Sequence, residues 1–199
     1  INKEVKRRLR TDDSTEIATN LIRQGYKAIR INDDGGLFAR DNKHAKHPND
    51  KKVYFADENG QNGLKGDDLE TECANEIFNM GGRIILRGEG ITDASGNQMR
   101  ELDAIVDGEL MDIASITEHN AHTIRNIFNK KNKQLSEFNE QHNMEAKSLC
   151  LYYHEPTWFS EQEIKDQYED HLAYHPNGSS IKYVYVVVRG SNRMRRIKL

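Results

Sequence analysis

The stretch ELDAIVDGELMDIAS, residues 101–115, sets two aspartates on two short apolar runs joined by Asp107-Gly108. Asp-Gly between apolar runs signals a tight hairpin turn, because both central residues of such a turn take positive φ. Alternate residues of a strand share a face, so Asp103, Ile105 and Asp107 point one way, and Asp112 shares a face with Ala114. The hairpin is expected to bring Asp103 and Asp112 near each other. Neighbouring carboxylates repel and raise each other's pKa unless a cation neutralises them. Asp112 lies between Met111 and Ile113 in a segment otherwise fit for a core. A divalent metal is the expected neutraliser, with exposed strand-end aspartates as the plainer alternative.

Helical geometry supplies a third carboxylate. Cys73, Ala74 and Ile77 recur at helical spacing from Glu70, which puts Glu70 on the core-facing stripe. A glutamate on an apolar stripe needs a partner, and a metal or a basic substrate contact would supply one. Its alternative is a first-turn carboxylate favoured by the helix dipole. The remaining candidates are weaker. Ser115 follows the Asp112 strand and can contact a phosphate, and His119 and His122 are spaced as a helix pair. Glu89 is a possible fourth acid.

These residues need elements to hold them. Residues 13–24 read as a helix capped by Asp13 or Ser14, followed by strands at YKAIRI, LFAR and VYFA. The Gly/Asn/Asp-rich DENGQNGLKGDD reads as a connector, and the expected division is a small α/β subdomain over 1–66 and a second domain over 67–199. Residues 68–80 read as a helix closed by Gly81-Gly82, RIILR as a buried strand, and 117–147 as mostly helical with Ile124, Ile127, Phe128, Leu135 and Phe138 on its apolar side. LCLYY reads as a strand, a further helix starts near Ser160 with a capping box to Glu163, and IKYVYVVVR is a β-branched strand. Helices alternating with strands imply an α/β fold with a mixed central sheet flanked by helices.

Composition narrows the class. The 199 residues carry 29 Lys and Arg against 32 Asp and Glu, a net charge of −3, which argues against nonspecific coating of nucleic acid but not against an enzyme acting on it. Basic residues cluster at KRRLR (6–10), NKKNK (129–133) and RMRRIK (193–198). No apolar run approaches the roughly 18 residues of a membrane span. Cys73 and Cys150 suit buried thiols rather than a disulfide framework or a zinc site.

Taken in order, Glu70, ANEIFNMGGRIIL, Asp103 in ELDAIVDG, MDIAS and a helix carrying NIFNKKNKQL resemble the PD-(D/E)XK nuclease superfamily. They are most similar to the restriction-endonuclease-like toxin domains at the C-termini of contact-dependent inhibition and other polymorphic toxins. The resemblance covers about residues 69–135 and leaves 1–66 uncovered. It implies a restriction-endonuclease-like core in which Glu70, Asp103 and Asp112 hold Mg²⁺ or Mn²⁺, with Zn²⁺ a further option, for phosphodiester hydrolysis. It also implies phosphate contacts from Lys130, Lys131, Lys133, Gln134 and Ser115, DNA or tRNA as substrate, and a cognate immunity protein as partner. The setting it implies is a fragment of a longer chain, acting in a bacterial cytoplasm after delivery into a target cell.

The pattern departs from the family at one position: Ala114 stands where the family carries its lysine. An alanine can neither orient the attacking water nor offset developing negative charge. The leading account is a substitution that disarms the nuclease, so that this form is inactive. The second has the lysine supplied by Lys130, Lys131 or Lys133. The third is a non-catalytic nucleic-acid- or protein-binding module on the same fold. A metal-independent ribonuclease using His119 or His122 is the rival enzyme.

Overall fold

The computed structural model describes residues 2–41, 53–56, 62–66, 68–88 and 92–199. The chain divides into two compact units, Ile1–Gly108 and Glu109–Leu199. The boundary expected at 66/67 involves residue 67, which lies outside the described residues, as does Glu89.

In the first unit, helix α1 spans Lys3–Arg23 and begins well before the expected cap at Asp13. The reason is local. Asn2 caps the helix by accepting from Glu4 N at 3.0 Å, and KEVKRRLR consists largely of good helix formers. Ser14 is buried instead and donates to Gly35 O at 2.6 Å. Ala18 and Leu21 pack on Leu37 and Ala39 of the sheet. Strands β1 (Lys27–Ile31) and β2 (Leu37–Arg40) pair antiparallel. Strands β3 (Val53–Ala56) and β4 (Asn62–Gly66) form a separate antiparallel pair. β4 falls in the segment read as connector, where pairing with β3 overrides low strand propensity.

Helix α2, Asp68–Asn79, buries Cys73, Ala74 and Ile77 completely. It stops at a left-handed glycine: Gly81 has φ +87°, and Gly82 N donates to Ile77 O at 2.8 Å. A side chain at Gly82 would meet Ile77 Cγ2 at 2.6 Å. Strand β5 (Arg83–Leu86) runs parallel to β2, and β6 (Ala104–Val106) antiparallel to β5. The strand order in this unit is β1-β2-β5-β6.

The second unit is two strand-helix-strand crossovers. Strand β7 (Glu109–Ile116) leads into helix α3 (Thr123–His142), and β8 (Ser148–Tyr153) into helix α4 (Glu161–Ala173). β7, β8 and β9 (Tyr183–Val188) are parallel, and β10 (Met194–Lys198) closes the order β7-β8-β9-β10 antiparallel to β9. All six residues of β8 are buried, as befits a parallel strand covered on both faces. α3 is shorter than expected and ends where Asn143 turns left-handed at φ 50°. α4 begins at Ser160 as read, with Glu163 N donating to its hydroxyl at 3.3 Å. β10 falls in the segment read only as a basic cluster and is held inward by the buried Ile197.

The fold is α/β, with parallel and antiparallel pairing in the sheet of each unit and flanking helices. Cys73 and Cys150 are buried free thiols. Among the described residues, no helix is long and apolar enough to cross a membrane.

Candidate active site

In the second unit, Asp112 and Ala114 share one face of β7, opposite Leu149 and Leu151 of β8. Their side chains point where α3 packs. Ile124, Phe128, Leu135 and Phe138 of α3 are buried at steps of four, seven and three residues, the spacing of one helical face. Position 131 falls on that same stripe, between Phe128 and Leu135. A lysine there runs its methylene stem along apolar surface and needs an acceptor for its ammonium. Lys131 Nζ lies 3.0 Å from Asp112 Oδ2, and the two side chains are 14% and 3% exposed. A carboxylate this deep requires a positive partner, and α3 delivers one. Ala114 is 7% exposed.

The rest of α3 is fixed by a polar cluster against α4 and the loop after it. His171 Nδ1 meets Asn129 Oδ1 at 2.7 Å, and His171 Nε2 meets Ser179 Oγ at 2.9 Å. Ser180 N donates to Asn132 Oδ1 at 2.7 Å. Asn129 and Asn132 flank Lys131, so the cluster fixes the helix on both sides of it. Burial pushes the His171 imidazole down to about 4, with His175 acting in the same direction. His171 is therefore neutral at pH 7.

Lys130 and Lys133 are exposed, Lys133 being 4.0 Å from Glu137, and both project away from the buried stripe. Gln134 lies one turn along α3 from Lys131, with its Oε1 buried and lacking a hydrogen-bond partner among the described residues. Ser115 lies on the opposite face of β7 from Asp112. His119 and His122 precede α3 rather than forming a pair within it. His119 Nε2 is 2.9 Å from Glu163 Oε2, and its ring stacks on Trp158.

In the first unit, Asp103 is half-buried and precedes β6, while Leu102, Ala104 and Val106 face the core, as strand alternation requires. Asp107 and Gly108 have φ 47° and 86°, the paired positive values of the expected tight turn. Glu70 is half-buried at the start of α2, at helical spacing from the buried Cys73, Ala74 and Ile77. One further acid of this unit is buried. Glu101, sharing Asp103's parity, has a side chain only 3% exposed and lies 3.1 Å from Arg87. Its neighbours carry no signal of this burial, because alternation with the buried Leu102 and Ala104 sets Glu101 on the other face. Arg83 is tied to α1, donating to Ser14 Oγ and Arg10 O.

Among the described residues, no three or more of His, Cys, Asp and Glu come close enough to hold a metal ion by themselves. A hard divalent ion does not need three. Mg²⁺ typically keeps several waters and binds through one or two carboxylates together with substrate phosphate. The donor chemistry of Asp112 with the Ile113 carbonyl fits such an ion.

No family model matches the chain, and no curated protein matches it. Among solved structures, a chain of the CdiA-CT/CdiI toxin and immunity complex from Burkholderia pseudomallei is similar over 65% of this chain and 82% of its own length. The identity is 16% and the TM-score 0.37.

Proposed function

We propose that the chain is a metal-dependent nuclease in which Lys131, reaching in from α3, does the work for which the family pattern uses a lysine at position 114. The observation that supports this reading is the Lys131–Asp112 pair at 3.0 Å, with both groups largely withdrawn from water. The second account of Ala114 is thereby favoured over a disarming substitution. A small residue at 114 leaves its face of β7 open for an ammonium arriving from the helix.

Asp112 and the Ile113 carbonyl of the second unit would hold Mg²⁺ or Mn²⁺. When bound, the ion would polarise the phosphate and lower the pKa of a coordinated water. Lys131 offsets negative charge that builds on the phosphate and holds the attacking water by hydrogen bond, and a compact ammonium suits both tasks. The helix fixes its position, so little reorganisation is needed as charge develops. Gln134, one turn along, offers its buried Oε1 to a donor on the substrate. Lys130 and Lys133 meet the phosphate backbone, which positions the strand without reading its sequence. DNA or tRNA is the substrate this reading carries, and a toxin domain with a cognate immunity protein is the setting that the motif resemblance supports.

Calorimetric titration with Mg²⁺ and Mn²⁺ tests the site. Asp112→Asn should weaken binding by about tenfold or more, since even residues that only support a ligand cost that much. Equal binding by both proteins would remove Asp112 from the site. One observation favours a second reading: His119 held by Glu163 suits general acid–base catalysis without a metal. Cleavage that persists in EDTA and is lost in His119→Ala would select it.

A further inference from the structure

The opposite face of the second unit's sheet carries a group of residues that the proposed chemistry does not use. Tyr183 and Tyr185 alternate with the buried Val184 and Val186, so both rings lie on the face away from Asp112. Cross-strand register sets Lys198 beside Tyr183 and Arg196 beside Tyr185. The Arg196 guanidinium lies 3.7 Å from the Tyr183 ring centre, and its Nε donates to the Tyr185 hydroxyl at 3.1 Å. Lys147 Nζ is 5.5 Å from the same Tyr183 ring. Lys147, Arg196 and Lys198 are exposed and both tyrosines are half-buried. Glu109, the carboxylate that meets this group, accepts from Ser148 Oγ at one oxygen and from the Tyr185 hydroxyl at the other. Its charge is thus engaged within the sheet, while the three cations face outward.

We infer that this face of β9 and β10 is a platform for single-stranded nucleic acid: a base stacks on the Tyr183–Arg196 plane, and Lys147 and Lys198 meet the flanking phosphates. It rests on the proposed function in taking nucleic acid as the partner, and deepens it by naming an unpaired strand. Charge complementarity selects the occupant, since three exposed cations converge here in a chain whose net charge is −3. The planar groups select the strand. A base in a duplex is already stacked, whereas an unpaired base gains a π-face from tyrosine or from an arginine plane. Charged residues on a terminal strand also block edge-to-edge pairing, but that role requires no aromatic ring. Because the platform faces away from Asp112, it holds substrate without touching the reacting phosphate. Its loss should raise KM and leave kcat unchanged.

The test is fluorescence anisotropy with the full chain in EDTA, so that no cleavage intrudes. Labelled oligouridylate and oligothymidylate are compared with a duplex of equal length. The parent should prefer the single strands. Tyr183→Leu and Arg196→Gln should each weaken them by about tenfold, and Tyr183→Phe should keep parental affinity because the ring remains. Lys147→Gln and Lys198→Gln should each lower the salt slope by about one. Parental binding by Arg196→Gln, whose side chain is exposed, overturns the proposal. So does a preference for duplex, or binding only to an acidic protein. Failure of the nuclease reading would look different: binding as described, with no cleavage when metal is restored.

Discussion

Lys131→Met isolates the pair on which the active-site reading stands. The variant keeps the stem that lies along the apolar stripe and removes only the ammonium. At 3.0 Å, the Coulomb attraction between unit charges is roughly 5 to 6 kcal/mol for an effective dielectric near 20. Desolvation of both groups offsets much of this. What remains measurable is the cost of leaving Asp112, 3% exposed, with its partner gone, and breaking a buried pair this way costs about 3–5 kcal/mol. Lys131 is 14% exposed, so water relieves part of the loss, and about 3 kcal/mol is the expected figure. Asp112→Asn removes the matching charge, and the double variant should recover about 2 kcal/mol of the summed losses. Urea unfolding of the four proteins in EDTA gives the cycle. Added Mg²⁺ should restore more stability to Lys131→Met than to the parent, because a ligand of the folded state stabilises by mass action and the ammonium no longer competes. A coupling below about 0.5 kcal/mol, with no differential effect of Mg²⁺, would refute the reasoning.

Other outcomes follow from the same geometry. His171 is held near 4 by burial, against about 6.5 for an unfolded imidazole. Between these values the unfolded chain binds a proton that the folded chain resists, so stability should fall as pH drops from about 6.5 to about 4. The urea midpoint followed over that range should lose part of this slope in His171→Gln, and an unchanged slope would assign the acid sensitivity elsewhere. Replacing Lys130 and Lys133 with Gln should lower the salt slope of nucleic-acid binding by about two, since Lys131 is committed to Asp112; no change would leave that face of α3 in solvent. Ser160→Ala should cost about 1 kcal/mol by removing the α4 cap, read as a lowered urea midpoint, and an unchanged midpoint would show that the cap is dispensable.

Elements with a strong local signal were legible in the sequence. β2, β3 and the Ser160 cap could be read because alternation, β-branching and capping chemistry are written in neighbouring residues. β4 and β10 were not, because the first is rich in Gly and Asn and the second in Arg and Lys. Each becomes a strand through a partner that lies elsewhere in the chain. The start of α1 was hidden by a cap, Asn2, lying well before the apolar periodicity begins. The face that Asp112 shares with Ala114 on β7 was legible from alternation alone. Lys131 was visible only in part. Its cluster looked like a phosphate-binding face, yet the positions of Ile124, Phe128, Leu135 and Phe138 already marked 131 as an inward site. A charged residue filling a gap in an apolar stripe signals a buried partner, and the partner's identity required the packing of α3 on β7. The burial of Glu101 was hidden for a related reason, since it depends on Arg87, which follows β5.

The most direct measurement is cleavage by the chain as it stands. Purified parent, Lys131→Ala, Asp112→Asn and Ala114→Lys are incubated with plasmid DNA and with total tRNA, with Mg²⁺ or Mn²⁺ and again with EDTA. The parent should cleave at least one substrate, EDTA should stop it, and Lys131→Ala and Asp112→Asn should each lose about a hundredfold or more. A parent that is inert on both substrates while Ala114→Lys is active would contradict this expectation, as would full activity in Lys131→Ala.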